Sequence, residues 1–193
     1  MDVTETIGDA IAASWLRDTS RIRSEQLRDI HRRLQATQYA VRTVRKIEED
    51  VPSLLEELGP RRGMAWSDIA TLVGVTVAAI RKWRQGGDAA PENRKRLAKI
   101  AALLDVIEES NLISDPAQWL EVPLPLPPGY TVRPMDLYKA GHVDALLDYA
   151  AHRIEPQALM DEVESDWRES RRSNFEVYDA SDGQKAIRLR SRD

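Results

Sequence analysis

The sequence predicts a mainly α protein: a helical N-terminal arm, a helix-turn-helix module, a small helical domain and a C-terminal tail or β-hairpin. Three observations carry this expectation. Apolar residues recur at spacings of three and four through most of the first 170 positions. Strand-like alternation is almost absent before residue 174. Pro and Gly fall where they divide the chain into short helical stretches. The divisions suggest four regions, 1–60, 61–110, 111–170 and 171–193.

The arm comes first. In "TETIGDAIAASWLRD", Ile7, Ile11 and Trp15 share a helical face. Ser24 is then placed to cap a second helix, in which Leu27, Ile30, Leu34, Thr37, Val41 and Val44 form an a/d-like seam of three heptads with one polar lapse. Such a seam serves either a helix packed on its own domain or a helical dimerisation arm. Pro52 suits the start of a further helix, and "LGPRRG" at 58–63 reads as a breaker.

The next region holds "WSDIATLVGVTVAAIRKWRQG", residues 66–86. A helix-turn-helix needs a small residue where its helices touch, a turn tolerant of positive φ, a cap on the second helix and apolar anchors facing in. Ala70, Gly74, Thr76, and Ile80 with Trp83 occupy those places; Ile69 and Leu72 face inward from the first helix, and Val75 plugs the turn. Val77, Ala78, Arg81, Lys82 and Gln85 then fall on the outward face, with Arg84 beside them. This face predicts contact with duplex DNA; an ordinary helical hairpin whose polar end faces water is the alternative. Arg81 is the candidate for bidentate contact with guanine, and Val77 and Ala78 offer apolar contact. Thr76 closes the set at the helix start. Arg94, Lys95, Arg96 and Lys99 on the following helix read as phosphate contacts or solvated charge. One module covers half a site, so at least a homodimer is expected.

That following helix opens at Pro91, suited to a first turn. Leu97, Ile100, Ala101, Leu104 and Ile107 make its apolar stripe, while its outer face runs from basic to acidic at Asp105, Glu108 and Glu109. A Pro-rich stretch, "DPAQWLEVPLPLPPG", follows; its "PLPLPP" run suits polyproline II geometry. Two short helices joined at Gly141 come next, then an acidic helix in "EPQALMDEVESDWRES". In the last region Phe175 and Val177, and again Ile187 and Leu189, alternate with polar residues around "ASDGQ", a turn signal with Gly183. A lone hairpin needs a surface to lie on, its own domain or a partner; a disordered tail is the other reading of these residues.

Composition and charge bound the function. The 193 residues include no Cys and three scattered His, which excludes a disulfide framework and thiolate chemistry. No secretory leader and no apolar run of about 20 residues is evident, so a soluble cytoplasmic protein is expected. No phosphate-binding glycine loop, metal-ligand spacing or nucleophile elbow occurs, so no catalytic residue, cofactor or metal is expected. Asp144 and Asp148 at i, i+4 read as a solvated helix face. Residues 61–100 carry 9 basic and 3 acidic side chains, whereas residues 101–170 carry 4 and 14. Opposed blocks of this kind suggest two different partners or mutual screening.

The block 66–86 resembles an Xre-type helix-turn-helix. The stretch "WLEVPLPLPPGYTVRPMDLYKAGHVDALLDYAAHRI" resembles the toxin-binding domain of Xre/MbcA/ParS-type antitoxins at Trp119, Leu120, Gly129, Pro134, Leu137, Gly141, Val143 and Leu147. The resemblance covers residues 64–156. "PPGYT" stands where the family has a Gly-rich loop, and both ends are longer than usual. It implies an antitoxin that neutralises a RES-type, NAD-consuming toxin and represses its own operon. Trp119, Tyr130, Leu137 and Tyr138 are then candidate partner contacts, with core packing as the other use for Trp119, Leu137 and Tyr138. By analogy with antitoxin tails, Arg188 and Arg190 would reach the toxin. A stand-alone transcriptional regulator without a toxin partner would share residues 64–100.

Overall fold

Helix α5 (Pro91–Asn111) is the axis of the molecule. Leu97, Ala98, Ile100, Ala101, Ala102, Leu103, Leu104, Val106 and Ile107 are all buried on it. The expected stripe is therefore too narrow: α5 is covered on nearly every side, as a helix apolar around most of its circumference must be. The computed structural model describes residues 3–111, 113–181 and 183–189, and for residues 3–21, 24, 25, 110, 111, 176 and 179 the backbone alone.

Around α5 lie α1 (Val3–Ile47), α2 (Val51–Glu56), α3 (Trp66–Val73), α4 (Val77–Arg84), α6 (Pro116–Glu121), α7 (Pro134–Lys139) and α8 (Val143–Ala150). Two further helices, α9 (Pro156–Val163) and α10 (Trp167–Ser170), precede strands β1 (Phe175–Asp179) and β2 (Lys185–Leu189). The fold is thus mainly α with one small antiparallel hairpin. One apolar core draws on residues from Val51 to Ala150, across the expected boundary at 110. A second, smaller cluster gathers Leu124, Val132, Leu137, Ala145, Leu159, Met160 and Trp167.

Several local expectations change. The N-terminal arm is one helix running through Ser24, because nothing between Gly8 and Ile47 breaks the helical backbone. The side chains of Ile7, Ile11 and Trp15 lie outside the described residues. Most of the breaker is instead a π-helical turn, Glu57–Arg61, that continues α2 and contains Pro60. The chain stops only at Gly63, whose φ is +76°. The acidic C-terminal segment divides at Glu164 (φ −155°, ψ 91°), which lets Trp167 turn into the second core. Within "PLPLPP", Leu124 is buried and its N–H donates to the Val132 carbonyl at 2.8 Å, so part of that run pairs rather than standing free.

Other expectations match the fold. Asp50 caps α2, its Oδ1 accepting from the Ser53 N–H at 2.7 Å, with Pro52 in the first turn. Helices α7 and α8 meet at Gly141, where φ is +93°. The hairpin pairs Phe175 with Leu189 and Val177 with Ile187.

The cations from outside the acidic block that pair with it lie mostly on α1, and the basic block 61–100 contributes Arg62. Arg42 reaches Glu109, Lys46 donates to Glu57 at 2.6 Å, and Arg62 binds Asp105, Glu57 and Glu108. Arg32 reaches Asp148 and Glu162. Asp148 is buried, not solvated as its i, i+4 spacing suggested; Arg32 and Arg153 compensate its charge. Four of the fourteen acidic side chains of residues 101–170, Asp105, Glu109, Asp148 and Glu162, pair with cations on the inner face of α1.

Candidate nucleic-acid interface

Two helices and a left-handed turn, α3, Gly74 and α4, stand where the spacing places them. Ile69 and Ala70 on α3 and Ile80 and Trp83 on α4 are buried in the main core, where α3 packs on α5 and α4 packs on α2 and α3. Val73 joins them, while Leu72 is only half-buried, a one-residue shift around the helix face. Gly74 ends α3 at φ +77° and ψ 39°, a left-handed conformation that costs a residue with Cβ about 1–2 kcal/mol. The N–H groups of Gly74 and Val75 both donate to the Ala70 carbonyl at 2.9 Å. Arg96 seals the turn from α5, donating from Nη1 to the Val73 carbonyl at 2.7 Å. Thr76 then starts α4, its Oγ1 accepting from the Ala79 N–H at 3.2 Å.

Because Ile80 and Trp83 anchor one side of α4, the opposite side faces out. Val77, Ala78, Arg81, Lys82 and Gln85 are all exposed there. Arg81, Lys82 and Arg84 also lie in the last turn, where positive charge complements the helix dipole. Arg84 is exposed beside them, and its guanidinium also sits 4.2 Å from the Trp66 ring centroid, a cation–π contact that joins α4 to the start of α3. Arg94 departs from the expected set. It is half-buried and its Nε donates to the Glu49 carbonyl at 3.0 Å, so it ties α5 to the end of α1. Lys95 and Lys99 remain exposed on the first turns of α5.

The residues expected to meet a protein partner serve mostly inside the fold. Leu137 is 1% exposed and belongs to the second core. Tyr138 packs between α7 and the main core, and its hydroxyl faces that of Tyr39 on α1; burial pushes both phenols above their usual range. Trp119 stacks on Tyr149 with centroids 5.8 Å apart. Tyr130 meets Trp167 edge-on at 4.7 Å and donates from its hydroxyl to the Arg168 carbonyl at 3.0 Å. The same corner is locked by Asp161, which accepts from Arg168 and from Trp167 Nε1; those bonds hold its carboxyl below the usual range. An aromatic on a short helix beside a Pro-rich loop carries no mark in sequence that separates contact from core, which is why these positions read both ways.

What the sequence did not assign is the bareness of the hairpin. Phe175, Val177, Ile187 and Leu189 share one face of β1–β2, and all four are exposed. Arg188 lies across the other face, over the Tyr178 ring at 4.8 Å. Arg190 lies outside the described residues. Among the described residues, no cluster of three His, Asp or Glu side chains is placed to hold a metal, and no helix is long and apolar enough to cross a membrane. Compared with known proteins, the chain matches no family model, no curated protein and no solved structure.

Proposed function

We propose that the protein is a DNA-binding regulator of the antitoxin type: α4 enters the major groove of an operator, and a RES-type toxin docks on the C-terminal half. The carrying observation is the outward face of α4, where Arg81, Lys82 and Gln85 stand free of the core beside Val77 and Ala78. Arg81 reads a base edge, and Lys95 on α5 contacts phosphate. Arg81→Ala should weaken binding to the cognate operator by about 1–3 kcal/mol and relax preference at one position. Lys95→Ala should weaken all duplexes alike and reduce the salt dependence. Titration of both variants on operator and scrambled duplex decides it. Unchanged operator affinity in Arg81→Ala would remove the assignment.

The toxin-docking part rests on the hairpin rather than on Trp119, Leu137 or Tyr138. A two-stranded sheet is marginal alone, and four exposed apolar side chains on one face call for a cover. Deleting residues 174–193 should abolish toxin neutralisation and leave operator binding intact. Full neutralisation by the truncated chain would refute the docking role. The internal use of Leu137, Tyr130 and Tyr138 favours the rival reading, a regulator without a toxin; the product of the adjacent gene failing to co-purify with the full chain would select it.

A further inference from the structure

Helix α1 is built inside out. The side turned to its own body is polar: Arg32 binds Asp148 and Glu162, Gln35 accepts from Arg153 at 2.9 Å, Tyr39 faces Tyr138, Arg42 binds Glu109 and Lys46 binds Glu57. The opposite side is apolar. Leu27, Ile30, Leu34, Val41 and Val44 are between 46% and 63% exposed there. Among the described residues nothing covers this seam. The hydrophobic effect places a helix's apolar stripe against the core and its charges in water; here the assignment is reversed along about five turns.

We propose that this seam is the interface with a second copy of the chain, and that the two α1 helices pair antiparallel. Four observations choose this occupant. First, the area suffices. Five half-exposed side chains present on the order of 500 Å² per copy, so a pair buries on the order of 1,000 Å² before the flanks are added, the lower edge for a stable interface. Second, the polar lapse is harmless. Thr37 donates from Oγ1 to the Arg33 carbonyl at 2.8 Å, so its hydroxyl is satisfied within the helix. Third, the pattern is self-complementary when reversed. Leu27 meets Val44, Ile30 meets Val41 and Leu34 meets Thr37 of the second copy, a larger residue against a smaller one in every layer. The cation Arg33 then opposes Ala40, and no two like charges meet across the flanks. A parallel pair would stack Leu at a on Leu and Ile at d on Ile, a choice that disfavours two strands. Fourth, access is open. Each body sits on the far side of its own α1, so a second helix reaches the seam without meeting it.

The pairing is independent of what α4 binds, and its test needs no DNA. Light scattering of the full chain should give a dimer, and Leu34→Glu should give a monomer. Position 34 is exposed in the single chain, so the variant's helical circular dichroism and melting of the monomeric fold serve as the check that it remains folded. A monomeric wild type, a trimer or tetramer, or a folded Leu34→Glu dimer would overturn the interface. Orientation is read by cysteine cross-linking, which the absence of native Cys makes unambiguous. Under mild oxidation the double variant Leu27→Cys/Val44→Cys should run as a covalent dimer and Val44→Cys alone should not. Cross-linking of Val44→Cys alone would show a parallel pair and overturn the antiparallel arrangement.

Discussion

Arg62→Ala is expected to destabilise the fold by about 3 kcal/mol, and by more at neutral pH than in mild acid. Arg62 caps the C-terminal end of the π-helical turn, and its guanidinium gathers three carboxylates, Glu57 through Nε, Glu108 at 2.8 Å, and Asp105. Its side chain is largely buried, as are those of Glu57 and Asp105. Removing it leaves these carboxylates to Lys46 and Arg42, which already serve Glu57, Asp105 and Glu109. The pH dependence follows from Asp105. Burial pushes its carboxyl above the usual range, against the pull of Lys46, Arg62 and Arg42. The native state therefore holds that proton more tightly than the unfolded chain does. The stability linked to Asp105 is greatest below the ordinary carboxylate range and falls as pH rises through the raised native value. Without Arg62 the native value moves higher, so the loss grows over a wider window. Urea unfolding of wild type and variant at about pH 5 and about pH 7.5 measures this. Equal midpoints at both values would show that the cluster is solvated charge rather than a fastening between α1, α2 and α5.

Gly59→Ala should destabilise by about 1–3 kcal/mol, opposite in sign to the usual effect of replacing a helical glycine by alanine, a gain of about 1 kcal/mol. Gly59 lies in the π-helical turn with φ in the ordinary range, so its value is not conformational freedom. It is space. A Cβ there would come within 2.7 Å of Cζ3 and 2.8 Å of Cζ2 of Trp66, and closer still to Cη2. Trp66 begins α3, and its ring also holds the Arg84 guanidinium at the end of α4. Displacing the indole therefore disturbs both helices of the helix-turn-helix. The thermal midpoint should fall, and Trp66→Leu added to Gly59→Ala should cost less than the two single changes together, because the smaller side chain leaves room. Strict additivity would show that the contact carries no strain.

The local chemistry of this protein was legible in the sequence. Each helix of the helix-turn-helix, the turn at Gly74, the cap at Thr76 and the anchors Ile80 and Trp83 could be placed because they depend on nearest neighbours along the chain. Backbone φ at a glycine, a hydroxyl accepting from an N–H three residues on, and a 3.6-residue period are all short-range. The alternation of the two hairpin runs and the α7–α8 bend at Gly141 follow the same logic, while the strand register came from the fold. The α1 seam was also visible as a pattern, but a pattern alone leaves two uses open, packing on its own domain or on another chain.

Long-range packing decided the rest. Nothing local marks Asp148 as buried, or gives Arg94 to the Glu49 carbonyl and Arg84 to Trp66; those partners lie far along the chain or on another element. The same holds for Tyr138, whose burial depends on α1 arriving with Tyr39. Most of all, periodicity shows which side of a helix is apolar but not which side meets the body. In α1 the acidic side chains of α5, α8 and α9 attract Arg42, Lys46 and Arg32, and that choice turns Leu27, Ile30, Leu34, Val41 and Val44 outward. Charge pairing across distant segments is a property of the folded chain, and it settled the orientation that hydrophobic spacing left undetermined.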